Sequence, residues 1–153
     1  MKQWPIYLFI LLFSGACQQG PVFSEYHALA DETWQQDQVL EFNAKIPDSG
    51  QYQISVQVRY TYALETKNIW CIVNTRNTAS QQLHDTINLQ LAEDDGFRYG
   101  KGGHLKTIEQ PITKNPVTLP QGNTLFRLEQ GLPIDIKGIK DAGICIRKSN
   151  TNE

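Results

Sequence analysis

The sequence predicts an all-β domain: an antiparallel β-sandwich, jelly-roll or immunoglobulin-like, of about six to eight short strands. Three observations carry that expectation. Apolar and polar residues alternate without a break from Tyr52 to Tyr62. Turn-forming residues separate several shorter alternating runs, and no window of about eleven residues shows helical periodicity.

Residues 1–16 stand apart from this pattern. Lys2 is followed by an almost uninterrupted apolar run from Trp4 to Phe13, then by Ser14, Gly15, Ala16 and Cys17. A short apolar core with small residues at its end reads as a secretory signal peptide, and it is too short to cross a bilayer core of about 30 Å. A cysteine directly after Gly15-Ala16 suits lipoprotein processing, in which a diacylglyceryl thioether forms on the sulfur and cleavage frees the Cys17 amine. Ser14 stands where leucine is usual. The expected organisation is a signal peptide at 1–16, a lipidated tether at 17–24 and one β-sandwich domain at 25–150.

Within the tether, Gln18 to Ser24 have little to bury, and Glu25 to Ala30 suggest a helical turn. Leu40, Phe42, Ala44 and Ile46 then share one face, with Glu41, Asn43 and Lys45 on the other, as in a strand with one wet side. Pro47-Asp48-Ser49-Gly50 supplies a turn: proline presets φ, aspartate bonds its own backbone and glycine tolerates positive φ. In the long run, Tyr52, Ile54, Val56, Val58, Tyr60 and Tyr62 oppose Gln53, Ser55, Gln57, Arg59 and Thr61. A helix would scatter those side chains, and a buried parallel strand would not carry polar residues all facing one way.

Asn68 to Thr75 is apolar on both faces and reads as a central strand, with Trp70 in the core. Thr86, Ile87, Leu89 and Leu91 make another strand. Thr113 to Leu119 contains Pro116, which has no N–H to give a ladder and so confines the segment to an edge. Thr124 to Glu129 and Ala142 to Arg147 complete the set.

The formal charge is −2, with both signs interspersed. No basic run offers a phosphate backbone a binding face, so nucleic acid is not an expected partner. No later apolar stretch is long enough for a transmembrane helix, which leaves lipid on Cys17 as the expected membrane attachment. Cys71 and Cys145 then remain as an even pair in an oxidising compartment. A bridge between them is allowed, as are two separate thiols, and Cys145 alternates with the apolar set Ala142, Ile144 and Ile146.

The least ordinary stretch is Glu93-Asp-Asp-Gly-Phe-Arg-Tyr-Gly-Lys-Gly-Gly103. It is not a nucleotide loop, because no hydroxyl residue follows Lys101 and no βαβ context surrounds it. Three adjacent carboxylates, Glu93, Asp94 and Asp95, lack the spacing of a calcium loop. The expected reading is a solvated loop with Phe97 and Tyr99 packed on the sandwich edge or exposed for a partner. Trp34, among polar residues, either faces a sugar or protein partner or clamps the N-terminal segment. His27, His84 and His104 lack zinc-ligand spacing, no serine sits in a Gly-x-Ser-x-Gly elbow, and no cofactor, metal or catalytic activity is expected.

A resemblance to a known family rests on four stretches. These are Phe23-Ser24-Glu25-Tyr26 leading through Trp34 to Glu41-Phe42, the strand at Tyr52, Asp85-Thr-Ile-Asn-Leu-Gln-Leu-Ala92 with Asp95-Gly96 and Gly100-Lys101-Gly102, and Leu128-Glu129-Gln130 with Gly138 to Ile144. Together with Cys17 they resemble the gliding motility lipoprotein H family of the Bacteroidetes, over nearly the whole processed chain. An acidic residue often stands near His104 in that family, and this chain departs there. The resemblance implies a non-catalytic, lipid-anchored envelope component associated with gliding and type IX secretion, with envelope proteins as partners; Gln18, Gln19 and Gly20 after the cysteine carry no aspartate retention signal and no acidic export run, which favours the periplasmic face of the outer membrane. Another class of function, glycan capture by a carbohydrate-binding sandwich, would use exposed aromatics such as Trp34, Phe97 or Tyr99.

Overall fold

The computed structural model describes residues 20–77 and 83–149; Cys17 and the signal segment lie outside these. Two antiparallel sheets face each other. The first contains β1 (Phe23–Ala28), β11 (Ile139–Lys148), β4 (Gly50–Tyr60) and β7 (Lys106–Pro111) in that order, with β8 (Val117–Leu119) also paired to β4. The second has the order β3 (Leu40–Ile46), β9 (Gly122–Gln130), β5 (Asn68–Asn77), β6 (His84–Gln90). A two-residue ribbon, β2 (Thr33–Trp34) with β10 (Ile136–Lys137), and a 3₁₀ turn at Ala30–Glu32 close one end. An all-β sandwich is therefore the fold, with eleven strands among the described residues because several short pairings carry no run of their own in the sequence.

The inner faces hold the core. Phe42, Ala44 and Ile46 of β3 and Phe126 and Leu128 of β9 meet Ile54, Val56 and Val58 of β4 and Ile144 and Ile146 of β11, all buried. Removing each large side chain of this set from water is worth roughly 1.5–3 kcal/mol, which is why strict alternation fixes the register.

Four local expectations are corrected. Glu25 to Ala28 is strand, not helical turn: β1 begins at Phe23, inside the expected tether, and pairs with β11 from Phe23↔Ile146 to Ala28↔Asp141. β5 has one wet face, since Ile69, Cys71 and Val73 point inward and Trp70 outward, 43% exposed. Residues Lys106–Pro111, assigned to no strand from the sequence, form β7 against β4. Along β4, Ser55 and Gln57 lie on the outer face yet are buried, because side chains from β1 and β7 close over them.

Close packing of β1 on β11 depends on Gly143. A Cβ built there would lie 2.2 Å from the Glu25 carbonyl oxygen and 3.1 Å from the Tyr26 ring.

Candidate interaction surfaces

The strand registers define two ends. At the base, the Val22 amide donates to Ile146 O (2.8 Å) and the Ser149 amide to Gln51 O (2.8 Å), so the chain enters the sandwich beside the β3–β4 turn. At the other end, the tip, β4 stops at Tyr60 opposite Ile139 and Lys106. Loops 61–67, 91–105 and 131–135 leave from there. Among the described residues, the exposed large hydrophobic side chains are Tyr62, Phe97 and Ile134 in the tip loops and Trp70 on the outer face of β5.

Hydrogen bonds hold the tip loops in shape. The Tyr60 hydroxyl, buried and with its pKa raised by that burial, lies 2.7 Å from Leu91 O and 2.6 Å from Tyr99 O. The Tyr99 amide donates to Leu91 O (2.9 Å) and Glu93 N to Phe97 O (2.8 Å), closing a hairpin around Gly96, whose φ is +88°. Gly138, φ +86°, crosses under the 61–67 loop so closely that a Cβ would stand 2.3 Å from Leu64 N. Only a residue without a side chain fits both constraints.

The three acids of the loop are all occupied. Asp94 pairs with Lys67, Glu93 accepts a hydrogen bond from the Tyr99 hydroxyl, and the Asp95 carboxylate accepts from the Phe97 amide at 2.9 Å. They therefore diverge from one another, and among the described residues no group of three metal-ligating side chains forms. Phe97 is 59% exposed and meets Tyr99 edge-on at 5.3 Å.

Beside them, Arg98 donates through Nη2 to Leu64 O (2.9 Å) and Tyr62 O (3.3 Å), with its guanidinium 5.4 Å from the Tyr62 ring. Tyr62, 55% exposed, stands edge-on to His104 at 6.2 Å. Glu32, Thr61, Tyr62, His104, Leu105 and Lys140 line a hollow of about 360 Å³ there. Sequence reasoning treated Tyr62 as a strand residue and His104 as an isolated histidine, and so missed this grouping. The available signal was that Arg98 to Thr107 contains four basic or imidazole side chains and no carboxylate.

Trp34, expected as a possible partner contact, is fully buried, its indole Nε1 donating to Gln38 O at 3.2 Å. The β2–β10 ribbon turns it inward, so it clamps the segment before β3 and presents nothing to solvent. Cys71 and Cys145 are free thiols in different sheets. Cys71 belongs to the core, and its burial pushes the thiol pKa up to about 12. Cys145 lies on the outer face of its sheet, opposite Ile144 and Ile146, under Ser24, Glu109 and Arg147. A sheet separates the two sulfurs, which is why they do not bridge.

That outer face is a polar lattice. Arg59 grips the buried Asp141 carboxylate at 2.6 Å through Nε and 2.5 Å through Nη2, while its guanidinium lies 4.5 Å from the Tyr26 ring. Glu109 accepts from Arg147 and from Gln57 Nε2 (3.0 Å). Burial works to raise its pKa, and the hydrogen bonds from Arg147 and Gln57 more than offset it, leaving the carboxyl below the usual range. Every group here is paired, as a surface that holds strands together requires. Histidines are equally dispersed: His27 bonds Glu25 and packs on Phe42, and His84 bonds Asn74.

Residues 21–146 match the family model described as GldH lipoprotein. The chain belongs to the GldH lipoprotein family. It is 32% identical over 94 residues to the gliding motility lipoprotein GldH of Flavobacterium johnsoniae, covering 61% of this chain and 57% of that protein. The aligned region thus spans little more than half of the relative's length. Among solved structures, Eiger TNF from S. frugiperda is similar with a TM-score of 0.46 and 11% identity, over 87% of this chain and 96% of that one. A family 35 carbohydrate binding module from Clostridium thermocellum follows at 0.45 and 14%, over 82% and 92%.

Proposed function

We propose that the protein is a non-catalytic, lipid-anchored component of the gliding and type IX secretion apparatus, held by acyl chains on Cys17 at the periplasmic face of the outer membrane. The single observation that carries the reading is the placement of the family's whole matched region, 21–146, a few residues behind Cys17 and its preceding apolar run. A chain segment spans at most about 3.3–3.6 Å per residue, so Cys17 to Val22 reaches no more than about 18 Å. The base stays near the bilayer while the tip, with Phe97 and Tyr99, projects toward other proteins. Two or three acyl chains anchor firmly where one does not, which confines the search for a partner to the membrane plane.

A sugar platform is less well supported. The Phe97–Tyr99 pair stands at 86° and the Tyr62–His104 pair at 75°, so neither pair offers a continuous flat surface.

Intact mass measurement of the native product tests the anchor, with acyl mass on the Cys17 peptide as the expected result. Affinity purification of the tagged protein from membranes tests the role. Co-purification of gliding or secretion proteins is expected from the parent and not from Cys17→Ala. An unacylated, freely soluble product with no such partners refutes the reading.

A further inference from the structure

A strand at the border of a sheet carries a row of backbone groups that need a cover or a partner. On one flank of the sandwich β1 and β3 lean together, with the His27 ring 4.4 Å from that of Phe42, and β3 carries the exposed Lys45. On the other flank β7 is closed. Thr107 exchanges both backbone bonds with Lys101 at 2.8 Å, and Pro111 has no N–H to offer. β6, below it in the second sheet, is built differently. Its ladder with β5 runs from Asn68↔Gln90 to Asn74↔His84 without a bulge. At the two ends the Leu91 amide donates to Lys67 O (2.7 Å) and the Thr75 amide to Leu83 O (2.9 Å). Alternate residues of an antiparallel strand bond the same neighbour, so Asp85, Ile87 and Leu89 bond β5. The backbone groups of His84, Thr86, Asn88 and Gln90 point the other way. Two side chains cover part of this row: the Thr86 amide donates to the adjacent Asp85 carboxylate (2.8 Å), and Asn88 O accepts from Gln110 Nε2 at a long 3.3 Å. The remaining outward groups take no protein partner among the described residues. No proline, lysine or arginine interrupts the strand.

We infer that β6 takes up an extended segment of a partner protein as a further strand of its sheet. The free row of donors and acceptors fits an extended peptide backbone, and the side chains on its inward side set which one. There an added strand stands beside Leu89, Ile87 and Asp85. The first two call for apolar neighbours. Asp85 belongs to none of the ion pairs among the described residues and calls for lysine or arginine. In the antiparallel sense the segment reads apolar, any, apolar, any, basic. Its carbonyl takes over the Thr86 N–H, which releases the Asp85 carboxylate to the cation, and its N–H replaces Gln110 at Asn88 O. Backbone bonds supply affinity and the alternate side chains supply selectivity. The inference rests on the reading that the domain works by docking a protein, and it adds the strand that docks and the manner of docking.

The test places a photoreactive benzoyl-phenylalanine at Gln90 of the full-length lipidated protein in living cells, with a second label at the exposed Asn43 on β3 as control. Irradiation at position 90 is expected to link a protein through a peptide of the pattern just given, and irradiation at position 43 is not. Thr86→Pro is expected to cut the linked yield roughly tenfold or more, because it removes an outward N–H and sets a ring in the path of the added strand. Thr86→Val keeps the N–H and should stay within about twofold. Asp85→Asn should lower the yield about two- to fivefold. An unchanged melting temperature certifies the fold of each variant. A second measurement needs no variant: a synthetic copy of the linked peptide should slow amide exchange at Thr86 and Asn88 about tenfold or more in the parent, and a copy N-methylated opposite Asn88 should not. Linkage to lipid, to polysaccharide or to a segment without the pattern overturns the inference, as do a yield indifferent to Thr86→Pro and protection that survives N-methylation. If the parent still carries its acyl mass and co-purifies envelope proteins while position 90 links nothing, this inference fails and the docking role stands. Loss of both findings removes the role itself.

Discussion

Substituting Gly143 by alanine probes the junction on which the first strand depends. The added Cβ would stand 2.2 Å from the Glu25 carbonyl oxygen, a backbone atom that cannot swing away. An ordinary carbon–oxygen contact needs about 1 Å more, so β1 must move outward relative to β11, straining the ladder from Phe23↔Ile146 to Ala28↔Asp141. Overpacking of this kind costs about 1–3 kcal/mol, equivalent to a fall in Tm of roughly 3–12 °C for a domain of this size. Gly103→Ala is the control: nothing lies within 4 Å of its Cβ position, and reduced freedom of the unfolded chain makes it neutral or stabilising by up to about 1 kcal/mol. Calorimetry gives the stability, and amide exchange reports whether protection falls selectively in residues 23–28. If Gly143→Ala matches the parent in both measurements, the close approach of β1 to β11 is wrong.

Other outcomes follow from the same structure. Denatured, unreduced mature protein should release two titratable thiols, Cys71 and Cys145, with almost none reactive before unfolding because both are buried; two thiols appearing only after reductant would indicate a bridge. Trp34→Ala should cost about 3–5 kcal/mol in chemical denaturation, whereas Trp70→Ser and Phe97→Ser should each stay within about 1 kcal/mol, since only the first side chain is buried. The folded pKa of Glu109 is depressed, so its contribution is complete above the unfolded glutamate value of about 4.3 and is lost as pH falls through the folded value. Glu109→Gln should therefore be less stable than the parent near neutrality and indistinguishable from it at the acid extreme, as read from urea midpoints across pH.

Where one face of a strand is wet, the sequence was legible. β3 alternates buried and exposed residues from Leu40 to Ile46 as its pattern implies, and β4 follows the run from Tyr52. Alternation fixes only which residues share a face, and where both faces are apolar it leaves the inward one undecided. That is why Trp70, between Ile69 and Cys71, was placed inside. Trp34 misled in the opposite sense, because its burial depends on a two-residue pairing with Ile136 and Lys137, distant in sequence. β1 and β7 are edge or near-edge segments with mixed exposure, so neither gives a clean period. Phe97 and Tyr99 were read correctly as belonging to one loop, but the Tyr62–His104–Lys140 face was not visible. It joins three segments that only the sheet register brings together.

The direction of β1 has a mechanical consequence. The polypeptide enters at the base and runs toward the tip, antiparallel to β11, with its whole ladder perpendicular to that line. Tension between an anchored N-terminus and a load gripped at the far end would pull β1 lengthwise against its neighbour. Such a pull strains all the rungs at once, where a sideways peel would open them one after another. A body joined to a moving assembly in this way bears force in shear, the geometry in which a short strand resists rupture best.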